Sequence, residues 1–167
     1  MPAVKLCPIT PNGLEQIMEW VNDSEVVGNF AGLTKTITHE DEREYLERII
    51  SSGKDQLYAI ETTDGNYVGN IGLHEIGPVR KSGRFGLIIG KKQYWGQGYA
   101  QSAILALLEV AFQQQDLQTV WGKFLTTNEK MLHINVDKCG FRIEGIMPNE
   151  YFRDGKYHGM TKVSMNA

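Results

Sequence analysis

Three features of this sequence predict an α+β (mixed α/β) chain. Apolar spacing alternates between the helical and the strand period, in the order strand, helices, three strands, helix, strand, helix, strands. Thr63-Asp64-Gly65-Asn66 has the residue types of a hairpin turn, so part of the sheet is antiparallel. Between Arg84 and Leu125 a strand, a glycine-punctuated turn, a helix and a second strand follow one another, which is one βαβ crossover.

Val4 to Ile9 is a short mixed run that suits an edge strand, limited by Pro8 and Pro11. Thr10 can cap a helix with Pro11 at its first position, and Leu14, Ile17, Met18 and Val21 then fall on one face. Val26 to Leu33, with Gly28 and Gly32, reads as a surface loop. Thr38 caps the next helix. Asp41 takes the capping-box position, Tyr45, Leu46, Ile49 and Ile50 mark its apolar face, and Ser51-Ser52-Gly53 stops it.

Leu57–Glu61, Tyr67–Ile76 and Arg84–Ile89 are the three strands that follow, with Gly69 and Gly72 as candidate bulge positions. Ala100 to Phe112 is rich in Ala and Leu and reads as a helix. Thr119–Leu125 is a strand. A helix starts at Thr127-Asn128-Glu129, runs to about Lys138 and is closed by Gly140. Phe141–Met147 and Lys156–Met165 are the last strands, separated by a loop holding Pro148, Asp154 and Gly155.

The 167 residues fit one domain with a sizeable core. Hydrophobic residues make up 41% and charged residues 22%, and the formal net charge is −3, which does not suit a nucleic-acid partner. Cys7 and Cys139 are too few for a disulfide framework and lack metal-site spacing, so no metal is expected and two reduced thiols are. The N-terminus has no signal-type apolar core. No run approaches the roughly 20 apolar residues of a membrane span. A soluble, cytoplasmic protein is the expectation.

The chemistry-bearing stretch is Ile88 to Ala111. Trp95-Gly96-Gln97-Gly98-Tyr99-Ala100 links a strand to a helix N-terminus, where glycines let a ligand approach and the first helical N–H groups lack partners. That makes an anion site. The turn is neither the dinucleotide pattern G-x-G-x-x-G nor a Walker A loop, and a tight connection alone would use the same glycines.

Arg84 to Ala100, R-F-G-L-I-I-G-K-K-Q-Y-W-G-Q-G-Y-A, resembles the acyl-CoA-binding motif of the GNAT superfamily of N-acetyltransferases. In its pattern [Q/R]-x-x-G-x-[G/A], Trp95 holds the first position, Gly98 the fourth and Ala100 the sixth. Asn128 to Phe141, N-E-K-M-L-H-I-N-V-D-K-C-G-F, is similar to the family's later helix. Trp20-Val21-Asn22-Asp23 and F-R-D-G-K-Y within Phe152–Met165 resemble the ribosomal-protein N-terminal, polyamine and amino-sugar acetyltransferase subgroup.

The resemblance implies a mixed, mostly antiparallel sheet split into a V between Arg84–Ile89 and Thr119–Leu125, flanked by about four helices. Acetyl-CoA is the implied co-substrate. Its pantetheine would bond to backbone at Leu87, Ile88 and Ile89, and its pyrophosphate would sit on N–H groups of Trp95, Gly96, Gln97, Gly98, Tyr99 and Ala100. Lys91 and Lys92 either add charge there or are solvated turn lysines. The oxyanion donor would be a strand N–H near Leu87 or Ile88. Val136 stands where many members carry a tyrosine acid, so CoA would leave as thiolate with backbone or water help.

A neutral amine must attack the thioester and lose a proton. His74 and Glu75 are the candidate bases, and they point to opposite faces of their strand. Glu75 is equally readable as an ion-pair partner of a basic neighbour. Asn128 either bonds pantetheine or a water, or simply caps its helix. The acceptor pocket is expected from Trp20 to Leu33, Glu75 and the Asn149–Tyr157 loop, with Asp23, Glu25 and Glu150 as carboxylates for a cation. The implied function is acetyl transfer to a primary amine of a small molecule, an amino sugar or a polyamine. A protein N-terminus and a non-catalytic acyl-CoA-binding module are the alternatives. The family resemblance also suggests a homodimer.

Overall fold

The computed structural model describes residues 1–32 and 35–167. Seven strands form one sheet: β1 (Val4–Pro8), β2 (Gln56–Thr62), β3 (Tyr67–Gly77), β4 (Ser82–Ile89), β5 (Thr119–Leu125), β6 (Arg142–Arg153) and β7 (Lys156–Asn166), in the order β1-β2-β3-β4-β5-β7-β6. Every neighbouring pair is antiparallel except β4–β5. Five helices accompany it among the described residues: α1 (Leu14–Met18), α2 (Ser24–Val27), α3 (His39–Ser51), α4 (Tyr99–Glu109) and α5 (Glu129–His133). No described helix is long and apolar enough to cross a membrane.

The parallel pair is the feature that positions the site. β4 and β5 pair only at Ser82–Thr119, Gly83–Val120 and Arg84–Trp121, although both strands continue. Beyond Arg84 they diverge, which is the expected V. Phe85 sits at the branch point: its ring fills the space a Gly122 side chain would need, and it packs on Phe141 at 5.3 Å between ring centroids.

Local signals explain most elements. Thr38 and Asp41 form the reciprocal capping box at the start of α3. Pro11 opens a short 3₁₀ turn ahead of α1, but the Thr10 side chain makes no cap bond. α2 replaces part of the stretch read as a loop from Val26, because the Asp23 carboxylate accepts the Glu25 N–H and caps a turn there. The far end of that reading, Leu33, lies outside the described residues. Both α4 and α5 end in a wider turn, with Gln115 N–H bonding to Val110 O and Cys139 N–H to Ile134 O.

Two expectations need correction. Gly72 is not at a bulge; the irregularities fall where Ile60 and Glu61 face Gly69 and Tyr67, leaving Val68 as the extra residue beside Gly69, and between His74 and Gly77. Gly69 is needed because a Cβ there would lie 2.1 Å from the Ile88 carbonyl oxygen, and Gly72 lies against the His74 ring. The last strand pair is longer than expected. β6 runs through Pro148 to Arg153, with its register shift between Met147 and Tyr151, and turns at Asp154-Gly155 with φ of 53° and 77°. β6 is an edge strand, where proline's missing N–H breaks no ladder.

Apolar side chains gather in two clusters. One joins α4 to the sheet through Ile104, Leu107, Val68, Leu73, Val120 and Val163. The other joins α1 and α3 to β2 through Ile17, Trp20, Leu46, Ile49 and Leu57.

Candidate active site

The split between β4 and β5 holds a cavity of about 320 Å³ lined by Gly86 and Leu87 of β4, Lys123 and Phe124 of β5, and Asn128 and Met131 at α5. Strand parity decides which backbone groups reach it. Gly90 N–H donates to Val68 O, so the directly bonded β3–β4 pairs are those at 88 and 86, and residues 87 and 89 turn their backbone groups the other way. The backbone groups of Leu87 and Ile89 therefore turn toward the β5 side, where Leu87 lines the split. Ile88 does not: its backbone belongs to Asn70 on β3, and its side chain lines a different cavity. The Ile89 carbonyl already accepts the Trp95 indole N–H at 2.8 Å.

Past β4 the chain reaches the glycine turn. Gly96 has φ 72° and Gly98 has φ 89°, conformations that suit glycine, and Gly98 is the residue from which α4 starts. The first intrahelical bond is Ser102 N–H to Gly98 O, so helix geometry leaves the N–H groups of Tyr99, Ala100 and Gln101 without intrahelical acceptors. A Cβ on Gly98 would stand 3.2 Å from Pro2, which fixes how closely the N-terminus approaches the turn. Gln97 ties the turn to the Gln93 carbonyl. Lys92 is not a free cation for this site. Its ammonium pairs with Asp23 at 2.9 Å and with Glu25.

A second cavity of about 340 Å³ lies toward the helices, walled by Ile17, Trp20, Val21, Ile37, Tyr45 and Leu57. It shares Phe30, Ala31, Gly86 and Leu87 with the first. The two cavities thus meet at the middle of β4, where Gly86 puts no side chain between them.

His74 lines this second cavity. Its imidazole lies over the cross-strand pair Gly72–Gly86, with Nε2 only 3.8 Å from where a Gly86 Cβ would be. Nδ1 is 3.1 Å from Asp55 Oδ1. Asp55 also accepts bonds from Ser52 Oγ at 2.8 Å and Glu75 N–H at 3.3 Å. Burial opposes ionisation of Asp55, but these bonds outweigh it and hold the carboxyl below its ordinary value. An ionised Asp55 can only accept, so Nδ1 carries the proton and the Nε2 lone pair faces the cavity. Burial, with Arg84 nearby, holds His74 below its ordinary pKa despite Asp55.

Glu75 takes the opposite side. It has φ 55°, lines the split rather than the second cavity, and its Oε1 is 3.3 Å from Arg84 Nε. Asn128 caps α5 through Oδ1, 3.3 Å from Met131 N, while lining the split. Asp23 and Glu25 are spent on Lys92, and Glu150 pairs with Lys123 at 2.7 Å, so the three carboxylates expected to meet a cation are already matched. His39 and His133 are exposed and paired with Glu15 and Asp137. His158 Nε2 is 3.2 Å from the Arg153 carbonyl oxygen.

Sequence reasoning missed two residues, Asp55 and Glu42. Asp55 orients His74, and the β2–β3 register, Gln56 opposite Leu73, would have placed it there. Glu42 lines the second cavity at 7% exposure, and no hydrogen bond or ion pair reaches its carboxylate among the described residues. Burial pushes its carboxyl up to about 7. Its signal was an acid at the helical spacing of Leu46 and Ile49. Tyr151 on β6 accepts the Gly32 N–H at 3.0 Å through its hydroxyl, and Arg153 donates to Gly28 O at 2.9 Å, so the β6–β7 hairpin holds the segment carrying Phe30 and Ala31. No cluster of metal-ligating side chains occurs among the described residues, and burial pushes the Cys139 thiol up to about 11.

Residues 4–142 match the acetyltransferase (GNAT) domain family. The chain is 27% identical over 124 residues to a spermidine N(1)-acetyltransferase of Vibrio cholerae, covering 74% of this chain and 70% of that protein. A spermidine N(1)-acetyltransferase of Escherichia coli K12 is 28% identical over 117 residues, which span 61% of its length. Among solved structures, spermidine N-acetyltransferase from Vibrio cholerae in complex with CoA and spermine superposes with a TM-score of 0.89 over 98% of this chain and 95% of that one, at 21% identity.

Proposed function

Since the chain belongs to the GNAT family of acetyl-CoA-dependent acetyltransferases, we propose that it acetylates a primary amine of a small polyamine by direct attack in a ternary complex. The observation that carries this reading is the junction of two cavities at Gly86 and Leu87, with His74 Nε2 beside it. The names of the curated relatives supply the polyamine class.

In this reading the pantetheine arm lies in the β4–β5 split on the free groups of Leu87 and the Ile89 N–H, as an added strand would. The pyrophosphate rests on the Trp95–Ala100 turn and the first N–H groups of α4. The acceptor enters through the second cavity. His74 takes the proton of the attacking nitrogen at Nε2 while Asp55 stabilises the imidazolium. The Leu87 N–H accommodates the oxyanion, and CoA leaves as thiolate, a group of modest basicity. Glu75 holds Arg84 rather than the amine. The half-buried Asp55–His74 pair, with Nε2 at the junction of the two cavities, favours catalysis over a binding module. The same reading keeps a cytoplasmic setting. It also keeps pairing of two copies, for which Ile146, Phe152 and Tyr157 on the β6–β7 hairpin offer exposed apolar surface.

The test is release of free CoA thiol from acetyl-CoA with a panel of amines. Spermidine or a short diamine should support turnover, and a protein that releases thiol with no amine removes the reading.

A further inference from the structure

Glu42 is the one acid lining the acceptor cavity among the described residues. It is more than nine-tenths buried, without a side-chain partner among the described residues, and fixed on α3 one turn before Leu46, which anchors that helix in the core. A buried carboxylate without a counter-charge or hydrogen bonds is costly, and it persists where a ligand supplies the missing partner. The surroundings say which ligand. Ile17, Trp20, Val21, Ile37, Tyr45 and Leu57 form apolar walls that complement methylene groups. The only basic side chain among the lining residues is His74, which burial keeps neutral.

Resting on the acetyl-transfer reading, we infer that Glu42 anchors the second, non-reacting ammonium of an aliphatic diamine unit, whose first nitrogen lies at His74. The reacting nitrogen itself is a poor partner for Glu42. It must be neutral to attack, and an ionised carboxylate beside it would hold it as ammonium. A cation separated from it by methylenes satisfies both demands, with carbon along the apolar walls, charge on Glu42 and a free lone pair beside Nε2. Asp23 and Glu25, the loop acids expected to meet a cation, are already paired with Lys92, so they do not compete for that charge.

The experiment measures kcat/KM for n-butylamine and for α,ω-diamines from 1,3-diaminopropane to 1,6-diaminohexane. In Glu42→Gln, the ratio of diamine to n-butylamine should fall about 30-fold or more, the loss typical of removing one partner of a desolvated charge pair. In Glu42→Asp the carboxylate retracts by one methylene, and the preferred diamine should become longer. A ratio within two-fold of wild type, or an unchanged length preference, overturns the assignment while the transfer reading stands. A wild-type protein that acetylates none of these amines removes the transfer reading, and the diamine anchor with it.

Discussion

Replacing His74 by Gln isolates the proposed base, because the substitution removes Nε2 as a proton acceptor while keeping a polar group of similar reach. His74 lies below its ordinary value of 6.5, with burial as the main cause. At pH 7.5, one unit or more above its pKa, about 90% or more of the imidazole is therefore already neutral. The full contribution of the base is thus in play there. It should cost about 10²- to 10⁴-fold in kcat/KM, equivalent to about 3–5 kcal/mol of barrier. The pH profile adds a readout that misfolding would not mimic. With n-butylamine as acceptor, which does not engage Glu42, attack needs only a neutral amine and a neutral imidazole, so log kcat/KM should rise with a slope of two below the His74 pKa and one above it. His74→Gln should show a slope of one throughout. Asp55→Asn removes the charge that raises the His74 pKa, so its slope break should move to lower pH. Acetyl-CoA affinity, measured by calorimetry, should be unchanged in both variants. A loss under three-fold, or a slope break that survives in His74→Gln, refutes the role.

Gly98→Glu should eliminate acetyl-CoA binding: φ of 89° penalises a side chain by about 1–2 kcal/mol, and the carboxylate would occupy the anion site. An unchanged Kd by calorimetry removes the pyrophosphate from this turn. Tyr151→Phe deletes the bond to Gly32 N–H, worth about 0.5–1.5 kcal/mol, and should raise the amine KM about two- to ten-fold with acetyl-CoA affinity intact. If amine KM does not move, the hairpin does not position the acceptor segment. Glu42 also sets a pH dependence of stability. Its carboxyl titrates near 7 in the fold against 4.5 as its ordinary value, so the folded state keeps a proton that the unfolded chain gives up. Raising the pH from about 4.5 through 7 should therefore cost up to about 3 kcal/mol. Urea midpoints at pH 5 and pH 8 check this: Glu42→Gln should lose that pH dependence, and equal slopes in both proteins contradict it.

What was legible in the sequence divides by the range of the interaction that sets it. Thr38 and Asp41 are three residues apart, and Gly96 and Gly98 two apart. Their conformations are local, so the capping box and the turn ahead of α4 could be read directly. The β4–β5 split needed the family resemblance, because its branch point depends on Phe85 meeting Gly122 across a crossover. The resemblance groups Leu87, Ile88 and Ile89 together without a strand register. Only the register against β3, fixed by Gly90 and Val68, separates residues that bond inward from those that face the split. The acceptor side was the least legible. Asp23 and Glu25 look like free loop acids until Lys92, 67 residues beyond Glu25, closes on them. Glu42, by contrast, sits in a helix rich in acids and is singled out only by its phase on the buried stripe. A charge on the wrong face of an amphipathic helix is a local inconsistency that folding tolerates at a cost, and such inconsistencies gather at sites where a ligand completes the structure. Searching the stripe for its one misplaced acid, rather than the loops for their many acids, would have found the acceptor anchor from sequence.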